Sequence, residues 1–590
     1  MSKADPTFIG HVDSVSGSTV TIQLKEDIPS LVMISGQSYR IGQIGGFVRI
    51  PVGYTQLYAI CILVGSAAAP TLDDDSPIPG HRWMRATLFG ESMGEIFERG
   101  VSQFPTIDDE VHLVTPKDIS IIYESTNEEN AITIGNIAAS SGILGRLSLT
   151  PFVTRHSAIL GSTGSGKSNL VAVVSSAIST SFPSSRAIII DPHGEYASAV
   201  GASGKVFKIN PERDEFPLYI PYWALPFDEF IQIATGGNLG IHETAIRDFI
   251  TSMKKDAAQH LGTPPPDTTV TADSPIPYSV KQLWFDLVDY ERQTFNQNGG
   301  REPLAPEEDG NPETLTPNKY PAAAAYNQAP YKNPTARNIE RQLELLKSRL
   351  TDSRYNFLFN PGEQLTPNLS GNTRGDLDST ISSWIGHDKP ITVFDMSGTP
   401  SEILPTIVGT LLRMIYDILF WGGETSISGK KQPLLMILEE AHLFLPEGAE
   451  TPAQRTVARI AKEGRKYGVG LCVVSQRPSE INSTILSQCG TMLSLRLSNS
   501  QDRSKVQGAM PDDLGALTNM LPSLKTGEGL VVGESVPIPT RIQFYRAKNK
   551  PVGDDPNVSE AWQGARPGPE DYTVALNNWR TQSLSIQEEE

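Results

Sequence analysis

Eight residues, GSTGSGKS from Gly161 to Ser168, have the composition and spacing of a loop that binds the phosphates of a nucleoside triphosphate. The glycines let backbone N–H groups turn towards the phosphates at positions where a side chain would block their approach. Lys167 can reach the β- and γ-phosphate oxygens, and the Ser168 hydroxyl is suited to bind Mg²⁺. We therefore predict ATP and Mg²⁺ as ligands. The predicted binding residues are Gly161, Ser162, Thr163, Gly164, Ser165, Gly166, Lys167 and Ser168.

The elements around this loop agree with that chemistry. The apolar run at 158–160 predicts a strand before the loop, and the pattern at 169–172 predicts a helix after it. A helix that begins near Lys167 adds the partial positive charge of its N-terminus to the phosphate site. The alternative, a Gly-Ser turn that merely joins two core elements, is less favoured in this context.

A second candidate site is the pair Glu439 and Glu440, which follows the apolar run Leu434–Leu438. In phosphate-loop enzymes a carboxylate at this strand end holds the water shell of Mg²⁺, and the next one polarises the attacking water. Aspartate is usual at the first position, but the longer Glu439 side chain can still reach a metal-bound water. We expect Glu439 to bind Mg²⁺ through water and Glu440 to be the general base. The alternative is two solvated glutamates at a strand end, which the following Ala441-His442 disfavours.

Polar residues end two more predicted strands. Asp191 and Glu195 belong to the segment DPHGEY, directly after the apolar run 187–190. Because α/β sheets carry their chemistry at the carboxyl ends of strands, these carboxylates are expected beside the phosphate loop. Gln476 follows the predicted strand 470–474, and we expect it to contact the γ-phosphate and to respond when hydrolysis removes it. A purely structural hydrogen bond is the alternative for Gln476.

One predicted helix between these sites carries a stripe of positive charge, with Ile460 and Ala461 on the opposite, core-facing side. The stripe would face either DNA phosphates or a neighbouring subunit, or it would simply be solvated. Glu463 is expected to lie off the stripe and to leave its charge unneutralised. The cations of the stripe are Arg455, Arg459, Lys462 and Lys466.

Composition limits the class of protein. The 590 residues are 38% apolar and 20% charged, as in soluble globular proteins of several domains. A net charge of −18 argues against a surface coated in positive charge, but it allows a locally basic channel. The three cysteines are far apart and predict neither disulfides nor a zinc site.

No membrane span is expected, because Arg413 and Asp417 interrupt the long apolar stretch Leu404–Trp421 and suit a helix packed inside protein. The first ten residues do not have the pattern of a secretory signal, so we expect a cytoplasmic protein.

The chain divides into five predicted regions. The first is β-rich, with alternating Val20, Ile22 and Leu24 and an apolar run at 58–64 that predicts a fully buried strand; short strands with Gly and Pro between them suggest a small barrel. The third mixes helical patterns with a Pro/Asn/Gly-rich stretch at 262–333, which predicts a helical insertion with mobile loops. The regions are a β-barrel at 1–130, the first part of an α/β core at 131–220, the insertion at 221–389, the second part of the core at 390–550, and a tail at 551–590.

The segments GSTGSGKS, DPHGEY, ILEEAHLFLP, KEGRKYG and SQRP, in this order behind a small β-barrel, resemble the HerA branch of the HerA/FtsK superfamily of hexameric DNA-pumping ATPases. The resemblance covers about residues 1 to 550. It implies a RecA-like phosphate-loop core that assembles as a homo-hexamer, with ATP between subunits and double-stranded DNA in the central hole. It also implies that Asp191, Glu195 and Glu440 act on metal and water. Arg155 and Arg465 are implied to approach the phosphates, one of them from the adjacent subunit.

The resemblance further implies a partner. Proteins of this branch commonly act with an effector, a nuclease or in antiphage systems a sirtuin-like NADase, and the barrel is the usual docking surface. The insertion and the segment between Trp562 and Trp579 are least like a generic member, so partner choice is expected there.

Three functions remain open from the sequence. The first is a DNA translocase in antiphage defence or DNA end processing. The second is a scaffold that uses ATP as an assembly switch for the effector. The third is an ATPase of the conjugation and secretion group, which ranks last because such proteins lack the N-terminal barrel.

Overall fold

A computed structural model of the chain shows an α/β core behind an N-terminal barrel, with a helical insertion, as the sequence predicts. The residues that the structure describes are 5–34, 37–66, 82–124, 128–138, 142–211, 215–237, 239–300, 302–324, 328–510, 515–553, 557–564 and 566–581. The acidic end of the chain, Glu588 to Glu590, lies outside these ranges.

The barrel forms because six antiparallel strands close on themselves. In the described residues their order is β2, β1, β9, β5, β6, β7, and β2 pairs back onto β7; β8 continues the sheet beyond β7 as a hairpin, and β3 and β4 form a separate hairpin. The strands are β1 (Phe8–Ser16), β2 (Thr19–Leu24), β3 (Leu31–Ile34), β4 (Gln37–Arg40), β5 (Phe47–Val52), β6 (Thr55–Ser66), β7 (Arg82–Met93), β8 (Ile96–Arg99) and β9 (Glu110–Leu113).

The alternating residues of β2 fill the barrel as predicted, since Val20, Ile22 and Leu24 are all buried. The expectation that 58–64 is buried throughout is wrong, because burial stops after Cys61 and Leu63 is exposed. The pairing of β6 with β7 shifts register between Cys61 and Leu63. Beyond that shift the strand has one face towards solvent, as is usual in an antiparallel barrel.

Helix α1 (Pro116–Glu124) joins the barrel to the core. Its Ile122 packs with Tyr58 of the barrel and Ile538 of the core, and the Tyr123 hydroxyl lies 2.6 Å from Thr540 Oγ1. A second contact lies elsewhere on the barrel, where the methyl of Met520 packs against Gly45; a Cβ built on that glycine would be 3.0 Å from it.

The core is built on a twelve-stranded sheet in the described residues. Its order is β11, β10, β23, β22, β21, β12, β20, β19, β13, β18, β14, β15. The strands from β21 to β15 are parallel and the others antiparallel. Strands β16 and β17 form a separate two-stranded sheet. The strands are β10 (Ala131–Ile137), β11 (Leu144–Ser148), β12 (Ser157–Leu160), β13 (Arg186–Asp191), β14 (Gly204–Lys208), β15 (Phe216–Pro217), β16 (Thr294–Phe295), β17 (Tyr331–Lys332), β18 (Ile391–Asp395), β19 (Leu434–Leu438), β20 (Val469–Ser475), β21 (Thr491–Ser494), β22 (Glu528–Gly533) and β23 (Thr540–Phe544).

Both faces of the parallel strands are covered, which explains their continuous apolar runs. In β13, Ile188 and Ile190 pack on the face that also contacts the insertion, whereas Ala187 and Ile189 pack on the opposite face. The segment between β15 and β18 is largely helical, and one of its helices, α7, lies within the Pro/Asn/Gly-rich stretch.

The remaining helices are α2 (Leu149–Thr154), α3 (Lys167–Ser181), α4 (Ala197–Val200), α5 (Phe227–Thr235), α6 (Glu243–Ala258), α7 (Val280–Arg292), α8 (Glu340–Thr351), α9 (Asn356–Phe359), α10 (Gly362–Leu365), α11 (Leu377–Ile385), α12 (Leu404–Trp421), α13 (Pro452–Glu463), α14 (Ser483–Leu486), α15 (Ser500–Ala509), α16 (Val558–Ala561) and α17 (Pro569–Thr581). Helix α12 is the one described helix that is long and apolar enough to cross a membrane, and 67% of it is buried inside the protein. Its Arg413 lies 3.8 Å from Asp417 and donates to the carbonyl of Ala224, as suits a core helix.

Candidate nucleotide site

Five neighbouring parallel strands end at one edge of the sheet and bring the predicted residues together. Strand β12 leads into the phosphate loop, β20 ends beside Gln476, β19 leads into Glu439 and Glu440, and β13 ends at Asp191. Because all these strands run in the same direction, their carboxyl ends form a single line of polar groups. The neighbouring strand β18 adds Asp395 at its own carboxyl end.

The phosphate loop depends on its glycines. Gly164 and Gly166 have φ of +70° and +104°, values that residues with a Cβ rarely adopt, and a Cβ on Gly161 would lie 2.6 Å from Ser165 Oγ. The Ser162 N–H and hydroxyl both donate to the carbonyl of Arg496 at 2.9 Å. Helix α3 then begins at Lys167, which is buried.

A second segment clamps the loop from outside. The N–H of Gly527 donates to the carbonyl of Ser165 at 2.9 Å, and a Cβ on Gly166 would lie 3.3 Å from the Gly527 backbone. Gly527 directly precedes β22, so the antiparallel half of the sheet holds the loop in place.

Gln476 lies against the phosphate loop. Its Oε1 accepts a hydrogen bond of 2.6 Å from the Thr163 hydroxyl. Both side chains are at the solvent-accessible side of the loop, where Thr163 is exposed. A triphosphate that enters the loop would therefore meet this pair.

Glu439 and Glu440 differ in environment although they are adjacent. Both are buried, and neither Oε2 atom has a hydrogen-bond partner of good geometry in the described residues. Glu440 has φ +44° and ψ +45°, the left-handed region that costs a residue with a Cβ about 1 to 2 kcal/mol. This sharp turn directs the chain from β19 into a short 3₁₀ helix at Ala441–Leu443.

The two carboxyl groups have opposite pKa shifts. Burial raises the pKa of Glu439 to about 8, and the charge of Glu440 contributes, against the opposing effect of Lys167. Burial also acts on Glu440, but the His442 ring and the Lys167 ammonium outweigh it and hold the Glu440 pKa below its ordinary value. A pair of carboxyl groups split in this way has one ionised member ready to accept a proton.

The residues fit a hydrated Mg²⁺. The partnerless Oε2 of the buried Glu439 needs a donor, and a metal-bound water is one. The buried Tyr196 hydroxyl also has no hydrogen-bond partner of good geometry in the described residues, and burial followed by the charge of Glu439 raises its pKa. Ser168, at the start of α3, supplies the hydroxyl that such a site uses.

Asp191 holds the DPHGEY loop. Its carboxylate accepts hydrogen bonds from the backbone N–H groups of His193, Gly194 and Tyr196, at 3.2, 2.9 and 2.9 Å. Burial raises its pKa to about 6, with a contribution from the charge of Asp395. These hydrogen bonds fix the backbone of the loop that carries Glu195.

Glu195 lies at the rim of the site. Its carbonyl accepts from the N–H of Val552 at 2.9 Å, and a Cβ on Gly553 would lie 3.3 Å from its carboxylate. The segment that follows β23 therefore passes over this carboxylate.

The two predicted arginines lie at the other edge of the sheet. Arg155 precedes β12 and pairs with Glu534, and Arg465 precedes β20, is exposed and forms no ion pair within the described residues. The four residues of strand β12 lie between Arg155-His156 and Gly161, and they span roughly 13 Å at about 3.3 Å per residue. Neither arginine is on the same edge as the phosphate loop of its own chain.

The positive stripe on α13 is smaller than predicted. Ile460 and Ala461 are buried as expected, but Arg459 lies 3.0 Å from Asp417 and 3.9 Å from Glu463. The expectation that Glu463 leaves the stripe unneutralised is wrong, because residues four apart on a helix are neighbours. The exposed cations Arg455, Lys462, Arg465 and Lys466 continue the positive surface.

Three residues of the site, His442, Tyr196 and Asp395, were assigned no role from the sequence. Asp395 could have been found, since it ends an apolar strand just as Asp191 does. The contact of His442 with Ser475 and the burial of Tyr196 depend on packing between elements that are distant in the sequence, and they carry no local signal.

Comparison with known proteins identifies a family. A family model described as helicase HerA, central domain, matches residues 132–415, and one described as helicase HerA-like C-terminal matches residues 405–545. Together they span well over half of the chain.

Two curated relatives are DNA double-strand break repair helicases HerA. The protein from Sulfurisphaera tokodaii is 28% identical over 478 residues, which is 80% of each chain, and that from Sulfolobus acidocaldarius is 27% identical over 462 residues, 78% of each. Among solved structures, VirB4 of Thermoanaerobacter pseudethanolicus is 17% identical with a TM-score of 0.46, over 72% of this chain and 98% of that one. That superposition is partial, so the family assignment depends on the sequence matches.

Proposed function

This chain belongs to the HerA helicase family, and from that premise we propose that it is a ring-forming motor that uses ATP to move along double-stranded DNA. Its enzymatic activity is the hydrolysis of ATP to ADP and phosphate. The observation that carries the proposal is the meeting of Lys167, Glu439, Glu440 and Gln476 at one edge of the sheet. DNA is proposed as the substrate because the relatives are named as DNA repair helicases.

In the proposed mechanism Lys167 and the loop amides bind the triphosphate. Glu440 accepts a proton from the attacking water, since its pKa is held below the ordinary value and its carboxylate is ionised. Gln476 contacts the γ-phosphate. Asp191 accepts hydrogen bonds from the backbone of the loop that carries Glu195, and we assign both carboxylates to the metal and the water.

Mg²⁺ would be held by the Ser168 hydroxyl and, through water, by Glu439. When bound, it neutralises negative charge on the phosphate oxygens.

We assign Arg155 and Arg465 to the phosphates of an adjacent subunit. Their position on the edge opposite to their own phosphate loop supports a role in trans. The oligomer that we propose for this role is a homo-hexameric ring. An arginine supplied by a neighbour stabilises transition-state charge only when that neighbour is docked.

The DNA contact is assigned to the exposed part of the stripe, Arg455, Lys462 and Lys466. A local basic surface on a chain of net charge −18 confines phosphate binding to one face.

The partner is proposed to be an effector, a nuclease or a sirtuin-like NADase, that docks on the barrel, in antiphage defence or DNA end processing in the cytoplasm. The barrel offers an apolar patch at one end. Tyr54, Met93 and Ile96 are 95%, 69% and 70% exposed, and strand pairing brings the two turns that carry them side by side.

The test of the motor is ATP turnover by the purified chain with and without duplex DNA. Duplex DNA should raise turnover, and Lys167→Ala should lose nucleotide binding as well as hydrolysis. Glu440→Gln should still bind ATP but lose hydrolysis. A chain that stays monomeric and does not hydrolyse ATP with DNA and effector present would contradict the proposal.

The test of the docking patch is co-expression of Tyr54→Glu/Ile96→Glu with each candidate effector. Loss of co-purification with unchanged ATP turnover supports docking there, and retained co-purification contradicts it. In the same assay, Glu440→Gln separates a motor from an ATP-switched scaffold, because only a scaffold would still activate the effector.

A further inference from the structure

The candidate base Glu440 is in contact with a histidine to which the proposed function gives no role. His442 Nδ1 lies 3.2 Å from Glu440 Oε2, and each side chain is only 10% exposed. The same nitrogen lies 3.3 Å from Ser475 Oγ. Because Ser475 is the last residue of β20 and Glu440 follows β19, the imidazole spans the gap between two strand ends.

The surrounding atoms determine which ring nitrogen carries hydrogen. An ionised carboxylate only accepts hydrogen bonds, so an unprotonated Nδ1 would set its lone pair against Glu440 Oε2. The Ser475 hydroxyl oxygen already accepts from the Arg477 N–H at 3.0 Å and can accept a second bond from Nδ1. The Ser475 hydroxyl can donate or accept, so the Glu440 carboxylate is the neighbour that favours hydrogen on Nδ1.

The backbone alone does not fix the Glu440 side chain. Glu440 has left-handed φ and ψ, and the turn is closed by the Leu443 N–H, which donates to the Glu440 carbonyl at 2.9 Å. A non-glycine residue keeps such a conformation only when its surroundings determine it. Among the described residues, the His442 ring is the polar group in contact with Glu440 Oε2, and it reaches that atom from the turn itself.

Ser475 connects this contact to the phosphate end of the site. The next residue is Gln476, whose Oε1 accepts from Thr163 in the phosphate loop at 2.6 Å. A short series of contacts thus runs from the loop through Thr163, Gln476, Ser475 and His442 to Glu440.

We infer that His442 is a positioning residue for hydrolysis, whose Nδ1–H aligns the Glu440 carboxylate on the end of β20. The inference rests on the general-base role proposed for Glu440. In this role His442 aligns Glu440 with Gln476, the residue proposed to contact the γ-phosphate. Loss of His442 should therefore lower the turnover of ATP and leave the affinity for ATP unchanged.

The experiment compares three substitutions at His442 in the full chain with duplex DNA. His442→Leu removes the donor, His442→Asn keeps an N–H close to the position of Nδ1, and His442→Gln carries its N–H one bond farther out. The measurements are kcat and KM for ATP, the affinity for a fluorescent ATP analogue, and the melting temperature. We expect His442→Leu to lose at least about tenfold in kcat with KM within about threefold, and His442→Asn to recover most of kcat.

The inference is overturned if folded His442→Leu keeps kcat within about twofold, or if folded His442→Asn is as slow as His442→Leu. If His442→Leu does not fold, the ratio of kcat for His442→Asn to that for His442→Gln decides: a ratio well above one supports it and a ratio of one overturns it. Measuring Glu440→Gln in the same assay separates a failure of the general-base assignment from a failure of the role of His442. If Glu440→Gln hydrolyses ATP normally, the base assignment fails and the inference with it; if Glu440→Gln is inactive and His442→Leu is normal, only the inference fails.

Discussion

The hydroxyl of Thr163 donates a hydrogen bond of 2.6 Å to Gln476 Oε1, and so joins the phosphate loop to the end of strand β20. A γ-phosphate competes for both groups, because it accepts hydrogen bonds from a threonine hydroxyl and from a glutamine amide alike. Breaking this hydrogen bond therefore tests whether Gln476 responds to the nucleotide or only holds the phosphate loop.

We expect Gln476→Leu to lose at least about tenfold in kcat, roughly 1.4 kcal/mol of transition-state stabilisation, with KM for ATP little changed. Thr163→Val, which breaks the same hydrogen bond but leaves the Gln476 amide free, should keep most of the turnover. Steady-state ATP hydrolysis with duplex DNA measures both. Equal losses in the two variants would mean that the hydrogen bond is structural.

Much of this site could be predicted from the sequence, because its signals are local. The loop GSTGSGKS and the carboxylates at strand ends are read from adjacent residues. The pairing of Arg459 with Asp417 could not be predicted, since it depends on how α13 packs on α12. The exposure of Leu63 was missed for a similar reason, because a register shift inside the barrel sets it.

The raised pKa of Glu439 predicts a pH-dependent stability. Its folded pKa, about 8, lies above its ordinary value of 4.5, so folding takes up a proton between those values and stability falls as pH rises through that window. Glu439→Gln should therefore gain stability over the natural chain as pH rises from 5 to 8.5, by at most roughly 1.4 kcal/mol per unit. Chemical denaturation at several pH values without nucleotide measures this. A constant difference between the two chains would contradict a buried, protonated Glu439.

The edge position of Arg155 and Arg465 predicts that active sites are shared between subunits. Arg465→Ala and Lys167→Ala should each be nearly inactive alone. After mixing and reassembly in equal amounts, about one quarter of the interfaces combine an intact loop with an intact arginine, so activity should reappear. The same experiment with Arg155→Ala tests the other arginine. A mixture that remains inactive for both would contradict a role in trans.

Close packing of β20 on α2 predicts a large effect from one methyl group. A Cβ on Gly470 would lie 1.7 Å from the carbonyl oxygen of Val153, so Gly470→Ala should destabilise the core by about 3 kcal/mol or more. Gly508→Ala is the matched control, because its added Cβ in α15 meets nothing within 4 Å and should stabilise the helix by roughly 0.5 to 1 kcal/mol. Melting temperatures of the two variants should move in opposite directions.

The segment that contains Gly527 contacts the barrel as well as the phosphate loop. Gly527 touches the phosphate loop, and Met520, only a few residues earlier in the chain, touches Gly45 of the barrel. The segment 520–527 thus connects the phosphate loop to the barrel. We expect a movement of the phosphate loop to be passed through this segment to the barrel, and a protein bound to the barrel to alter ATP hydrolysis in return.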